Sequence, residues 1–123
     1  MDILVVDDET EMAALVARGL NKDGHNVRTA STGLEGLACA LEHPFDVAVL
    51  DVMMPGMDGP QTLEQLVNLV DINVVPVAFM TAKVQPAEVE HYLSLGARDV
   101  IIKPFDPMQL ASQIRAIWSL SNG

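Results

Sequence analysis

The stretch FDVAVLDVMMPGMDG, residues 45–59, decides how the chain is read. Val47, Ala48, Val49 and Leu50 form a short apolar run, bounded as a strand covered on both faces is bounded. The run stops at Asp51. Pro55, Gly56, Asp58 and Gly59 follow, turn formers that continue neither strand nor helix. Open α/β sheets bind ligands at the carboxyl ends of their strands, so Asp51 stands where such a fold places chemistry. On this stretch alone Asp51 reads equally well as a site residue or as a cap on the loop.

Working outward, Ile3 to Val6 is a second β-branched run that ends on acids, Asp7 and Asp8. Met12, Leu15, Val16, Gly19 and Leu20 then have helical spacing and predict one buried face, with Glu11, Ala13, Ala14, Ala17 and Arg18 opposite. The alanines on that outer face make it the candidate docking surface for a partner helix. Val27 to Ala30 reads as a strand, and Thr32 with Glu35 has the spacing of a capping box. Leu34, Leu37, Ala38 and Leu41 predict the buried stripe of the helix it starts. Beyond residue 59, Pro60 suits a first helical turn, and Leu63, Leu66, Val67 and Val70 share a face. Val74 to Met80 predicts the fourth strand, with Pro76 near its start because proline removes a ladder donor. A helix from Pro86 to Leu95 turns Val89, Tyr92 and Leu93 inward and ends at Gly96. Val100 to Ile102 is the fifth strand. A last helix starts near Asp106 and Pro107 and runs to about Leu120, with Leu110, Ile114, Ile117 and Trp118 as its stripe.

Strands alternating with helices pair in parallel through right-handed crossovers, which makes a doubly wound α/β domain with helices on both faces of one sheet. At 123 residues the expectation is one domain, 1–123, with no output domain in the chain. A chain of this length buries roughly 65 to 70% of its extended surface, enough for one core. Seventeen acidic against seven basic residues give a formal charge of −10, which disfavours nucleic acid and anionic membrane as direct partners. No apolar run approaches a membrane span, no secretory leader is evident, and Cys39 reads as a small buried hydrophobe. The expected location is the cytoplasm.

Parallel strands put all their carboxyl ends on one edge. Asp7 and Asp8, Asp51, Thr81 and Lys103 are delivered there by four different strands. Carboxylates so grouped repel: at an effective dielectric near 20, a pair at about 4 Å costs about 4 kcal/mol. A hard divalent cation relieves this, and Mg²⁺ favours one or two carboxylates, a carbonyl and waters. Lys103 as a point charge and Thr81 as a hydroxyl donor suit the oxygens of a further anion. A carboxylate nucleophile, a metal and two such donors are the parts of phosphoryl transfer onto aspartate.

These blocks, ILVVDDE from Ile3, DVMMPGMDG from Asp51, MTA from Met80 and KPF from Lys103, resemble the receiver domain of bacterial two-component response regulators of the chemotaxis-regulator type. The resemblance covers essentially the whole chain. It implies a flavodoxin-like three-layer α/β/α fold with a five-stranded parallel sheet of order 2-1-3-4-5. It implies that Asp51 accepts phosphate from a phosphohistidine of a sensor histidine kinase or a histidine phosphotransfer domain. Asp8, Asp51 and the backbone carbonyl of Met53 would ligate Mg²⁺, for which Mn²⁺ can substitute, with Asp7 acting directly or through water. Thr81, Ala82 and Lys103 would bind the phosphoryl group, and the Lys103–Pro104 peptide would be cis. Such a protein is a phosphorelay switch that changes its binding to a downstream protein target. It is not an enzyme in the ordinary sense, though it assists its own phosphorylation and slow dephosphorylation. Where many receivers carry a switching Tyr or Phe, this chain has Val100. Signalling would then pass through the Thr81 to Lys83 loop and the fourth helix.

Three other functions compete. A flavodoxin-like nucleotide binder wants a hydroxyl- and glycine-rich loop after strand 1, where this chain has DDET. An aspartate-nucleophile phosphatase wants a second acid two residues after the nucleophile, where Met53 stands. A phosphorylation-independent receiver acting as a constitutive protein-binding module is kept open by Val100. His25, His43 and His91 share no metal-ligand spacing and read as surface or turn residues. Met53, Met54 and Met57 read as loop packing.

Overall fold

The structure is a computed structural model that describes residues 1–82, 85–103 and 105–122. Strands β1 (Asp2–Val6), β2 (Asn26–Ala30), β3 (Val47–Asp51), β4 (Val77–Thr81) and β5 (Asp99–Ile102) alternate with helices α1 (Thr10–Lys22), α2 (Gly33–Glu42), α3 (Gly59–Leu66), α4 (Pro86–Ser94) and α5 (Pro107–Asn122). All neighbouring strands are parallel, and the sheet order is β2-β1-β3-β4-β5. The expected doubly wound α/β architecture is therefore present.

Alternation along the strands divides the core in two. Leu4, Val6, Ala48, Leu50, Val77, Phe79 and Val100 pack with Leu63, Leu66 and Tyr92 on one face of the sheet. Ile3, Val5, Val47, Val49, Ala78, Met80 and Ile101 pack with Val16, Leu20, Leu110, Ile114 and Ile117 on the other. β3 and β4 lie inside the sheet and are buried along their whole length, which is why their sequences show no polar alternation.

Several helix faces differ from the spacing prediction. In α1 the buried residues are Ala13, Val16 and Leu20, while Leu15 is exposed. The alanine face proposed for docking is thereby partly absorbed, leaving Ala14 and Arg18 outside. In α2 the predicted stripe is turned outward at both ends, with Leu34 68% and Leu41 71% exposed. Gly33 and Gly36 face inward instead, with Leu37, Cys39 and Ala40 partly buried against the core. A Cβ on Gly36 would sit 2.7 Å from a methyl of Val6, so a leucine at that close approach has no room. Val67 and Leu93 are likewise exposed.

β4 begins after Pro76, and Val74 lies outside it, because a strand paired on both edges has no place for a residue lacking its N–H. The Thr32 hydroxyl accepts from the Glu35 N–H at 3.0 Å as predicted, but the Glu35 carboxylate reaches back one residue further, to the N–H and hydroxyl of Ser31. A full capping box forms at α3, between Asp58 and Gln61. Met54 is buried in the core. Asp23 pairs with both His25 and Arg115, tying the α1–β2 corner to α5. The cis peptide expected at Pro104 and the role given to Lys83 lie outside the described residues.

Candidate functional site

Two strands carry the acids to one edge of the sheet. Asp7 and Asp8 follow β1 directly, and Asp51 is the last residue of β3. Asp7 is fully buried. Its N–H donates to the Ala30 carbonyl at 3.0 Å, and its Oδ1 accepts from the Glu9 N–H at 2.9 Å, so its carboxylate is fixed at the start of α1. Asp51 is 2% exposed. Its backbone is held in turn: the Val52 N–H donates to the Met80 carbonyl and the Gly59 N–H to the Val52 carbonyl, both at 3.0 Å. A Cβ on Gly59 would fall 2.5 Å from the Asp51 carbonyl oxygen and 2.9 Å from Val52 Cα, so the loop closes back on the acid only because residue 59 is glycine.

The lysine comes from the far side. Lys103 follows β5, and its N–H donates to the Thr81 carbonyl at 2.9 Å. Its Nζ stands 3.2 Å from Asp51 Oδ1, 3.3 Å from Asp7 Oδ2 and 3.7 Å from Glu9 Oε1. One oxygen each of Asp7, Asp8 and Asp51 lies within 4.8 Å of the others. Asp51 Oδ2 is buried with no hydrogen-bond partner, the only such side-chain atom among the described residues. A buried polar atom left without a partner is costly, and a bound ion, a water or a catalytic role is what keeps one in a native structure.

Burial pushes the Asp51 carboxyl up to about 6, the charge of Asp7 adds to the rise, and Lys103 opposes it. For Lys103 burial lowers the pKa, but Asp51 and Asp7 outweigh it and hold the ammonium above its ordinary value. The pocket thus carries more negative charge than one lysine can balance. The orphaned Asp51 oxygen and the all-oxygen donor set of three converging carboxylates fit a hard divalent cation such as Mg²⁺.

Asp7, Asp8, Asp51 and Lys103 are therefore brought together as expected. Thr81, buried, ends β4 on the same edge, and Ala82, exposed, follows it. Met53 lies in the loop after Asp51 with its side chain 66% exposed. Asp58, one of the turn formers after Asp51, serves as the cap of α3. Glu9 reaches the pocket as well, although no motif assigns it there. The signal for it was its place one residue after Asp8, where a helix must begin. Two surface grooves of about 430 and 540 Å³, one near Asp2, Cys39 and His43 and one between α1 and α5, include none of the pocket residues.

Residues 3–115 match the family model described as the response regulator receiver domain. The chain belongs to that family. It is 39% identical over 116 residues to protein PilH of Pseudomonas aeruginosa, covering 94% of this chain and 95% of PilH. It is 38% identical over 113 residues to the regulatory protein VanRc of Enterococcus gallinarum, covering 92% of this chain but 48% of VanRc. The chain thus spans about half of one relative and nearly all of the other. Among solved structures, the chemotaxis protein CheY4 of Vibrio cholerae superposes with a TM-score of 0.89 at 29% identity, covering 94% of this receiver and 97% of CheY4. Receivers are signalling switches of two-component systems, which work with histidine kinases and downstream targets. No helix among the described residues is long and apolar enough to cross a membrane.

Proposed function

We propose that this receiver accepts a phosphoryl group on Asp51 from a phosphohistidine and thereby changes its affinity for a protein target. The observation that carries the reading is the unpartnered, buried Asp51 Oδ2 set among Asp7, Asp8 and Lys103. Asp7, Asp8, Asp51 and the Met53 carbonyl would hold Mg²⁺, or Mn²⁺ in its place. When bound, the cation supplies charge neutralisation for the phosphoryl oxygens and lowers the repulsion among the acids.

The protein's own groups do the rest. An oxygen of Asp51 attacks phosphorus while the P–N bond of the donor breaks, and the electron pair of that bond returns to the imidazole. The imidazole leaves neutral, with its proton on the other ring nitrogen. Asp51 needs no general base, since most of it is ionised above about pH 6. Lys103 would exchange its contact with Asp51 for a phosphoryl oxygen, Thr81 would donate its hydroxyl to another, and Ala82, lacking a long side chain, leaves the donor a way in. The exposed face of α1, with Ala14, Leu15 and Arg18, offers the donor protein a surface beside the pocket.

Incubation with phosphoramidate or acetyl phosphate and Mg²⁺, read by intact mass, tests this. The mass is expected to rise by one phosphoryl group in the wild type and to stay unchanged in Asp51→Asn or in EDTA. An unchanged mass in folded wild-type protein overturns the reading and favours a constitutive binding module, as the buried Val100 in place of a switching ring would allow.

A further inference from the structure

Glu9 stands at the N-cap of α1 but does not cap it. Its side chain makes no hydrogen bond to the helix, although a carboxylate there has free N–H groups within reach. Instead the Glu9 carboxylate, itself 63% exposed, lies 3.7 Å from the Lys103 ammonium. The other two acids beside that ammonium, Asp7 and Asp51, both belong to the set of three that could hold a cation. A lysine balanced only by the cation's own ligands would compete with the cation for the same oxygens, and the two positive charges would repel.

Resting on the reading of this pocket as a divalent-cation site, we propose that Glu9 is a positioning residue: it draws the Lys103 ammonium toward the α1 side of the pocket, so that lysine and cation can occupy it together. Glu9 touches neither reacting atoms nor cation in this role. It acts through Lys103.

The test is Mg²⁺ affinity by calorimetry on wild type, Glu9→Gln, Glu9→Asp, Lys103→Met and the Glu9→Gln/Lys103→Met double variant. Lys103→Met keeps the packing of the lysine stem, and the exposure of Glu9 makes its variants mild for folding. Glu9→Gln should weaken Mg²⁺ binding about threefold to fivefold in the wild-type background, the size of a partly exposed ion-pair coupling, and by less than about twofold when residue 103 is methionine. Glu9→Asp keeps the charge but shortens the reach, so it should weaken binding as Glu9→Gln does. Equal fold-changes in both lysine backgrounds, or wild-type affinity in Glu9→Asp, would mean that Glu9 contributes only diffuse charge, and would overturn the proposal. The Glu9→Asp comparison stands alone if a residue 103 variant does not fold. Wild type that binds no Mg²⁺ would overturn the cation site itself, and this proposal with it.

Discussion

Replacing the acceptor acid should stabilise the metal-free fold, and the gain should depend on pH. Asp51 is buried, one of its oxygens has no partner, and its carboxyl is raised from 3.8 to about 6, by burial first and the charge of Asp7 second. The folded state then binds the Asp51 proton more tightly than the unfolded chain does. Stability carried by this group is complete below 3.8 and is lost as pH climbs through about 6. A rise of about two pKa units corresponds to about 3 kcal/mol of destabilisation once Asp51 is ionised, which sets a ceiling. Asp51→Asn gives up the ion pair with Lys103, but Lys103 keeps Asp7 and Glu9, so a net gain of about 2 kcal/mol is expected above pH 7. The assay is urea unfolding of both proteins in EDTA across about pH 4 to 8, where the difference cancels the titration of groups that do not interact with Asp51. The gain should shrink toward zero near the acid end and reach a plateau above about pH 6.5. A difference that stays flat across this range, or a wild type more stable than Asp51→Asn at neutral pH, would refute the reasoning.

Gly59→Ala should cost about 1 to 3 kcal/mol in chemical unfolding, because its Cβ would meet backbone atoms of Asp51 and Val52 and not a side chain that can turn aside. Leu34→Ser and Leu41→Ser should each change unfolding free energy by no more than about 0.5 kcal/mol, since both side chains are largely in water; a loss of about 2 kcal/mol in either would show that the outer face of α2 is covered. Lys103→Ala should still bind Mg²⁺ in calorimetry yet fail to alter partner binding when beryllofluoride is added, separating the ligand oxygens from the group that senses the phosphoryl.

How much of this was legible in the chain differs by element. The apolar runs ending at Val6, Leu50 and Met80 named the strands, and the acids and lysine after them named the site, because a parallel sheet sends every strand's end to one edge. Cap chemistry was legible too, at Thr32 and at Pro60, since it depends on neighbours within one turn. Periodicity failed where a helix could bury either of two faces. In α2 the leucines make the more apolar stripe, yet the close approach to Val6 selects Gly36, and Leu34 and Leu41 are left in water. In α1 too the smaller residue, Ala13, is buried while Leu15 is exposed. Hydrophobicity ranks faces by what they would gain from burial, but the distance between helix and sheet decides what fits.

Sequence alone therefore determined the order of strands and helices, the edge at which the chemistry stands and the residue types available there. Tertiary structure decided the rest: that Asp58 is spent on a helix cap, that Asp51 keeps one oxygen without a partner, and that Lys103 meets Glu9 across a sequence distance no local pattern spans. The reason is physical. Local spacing sets which backbone a segment prefers, whereas a charge's partners, burial and pKa come from segments that meet only when the sheet closes.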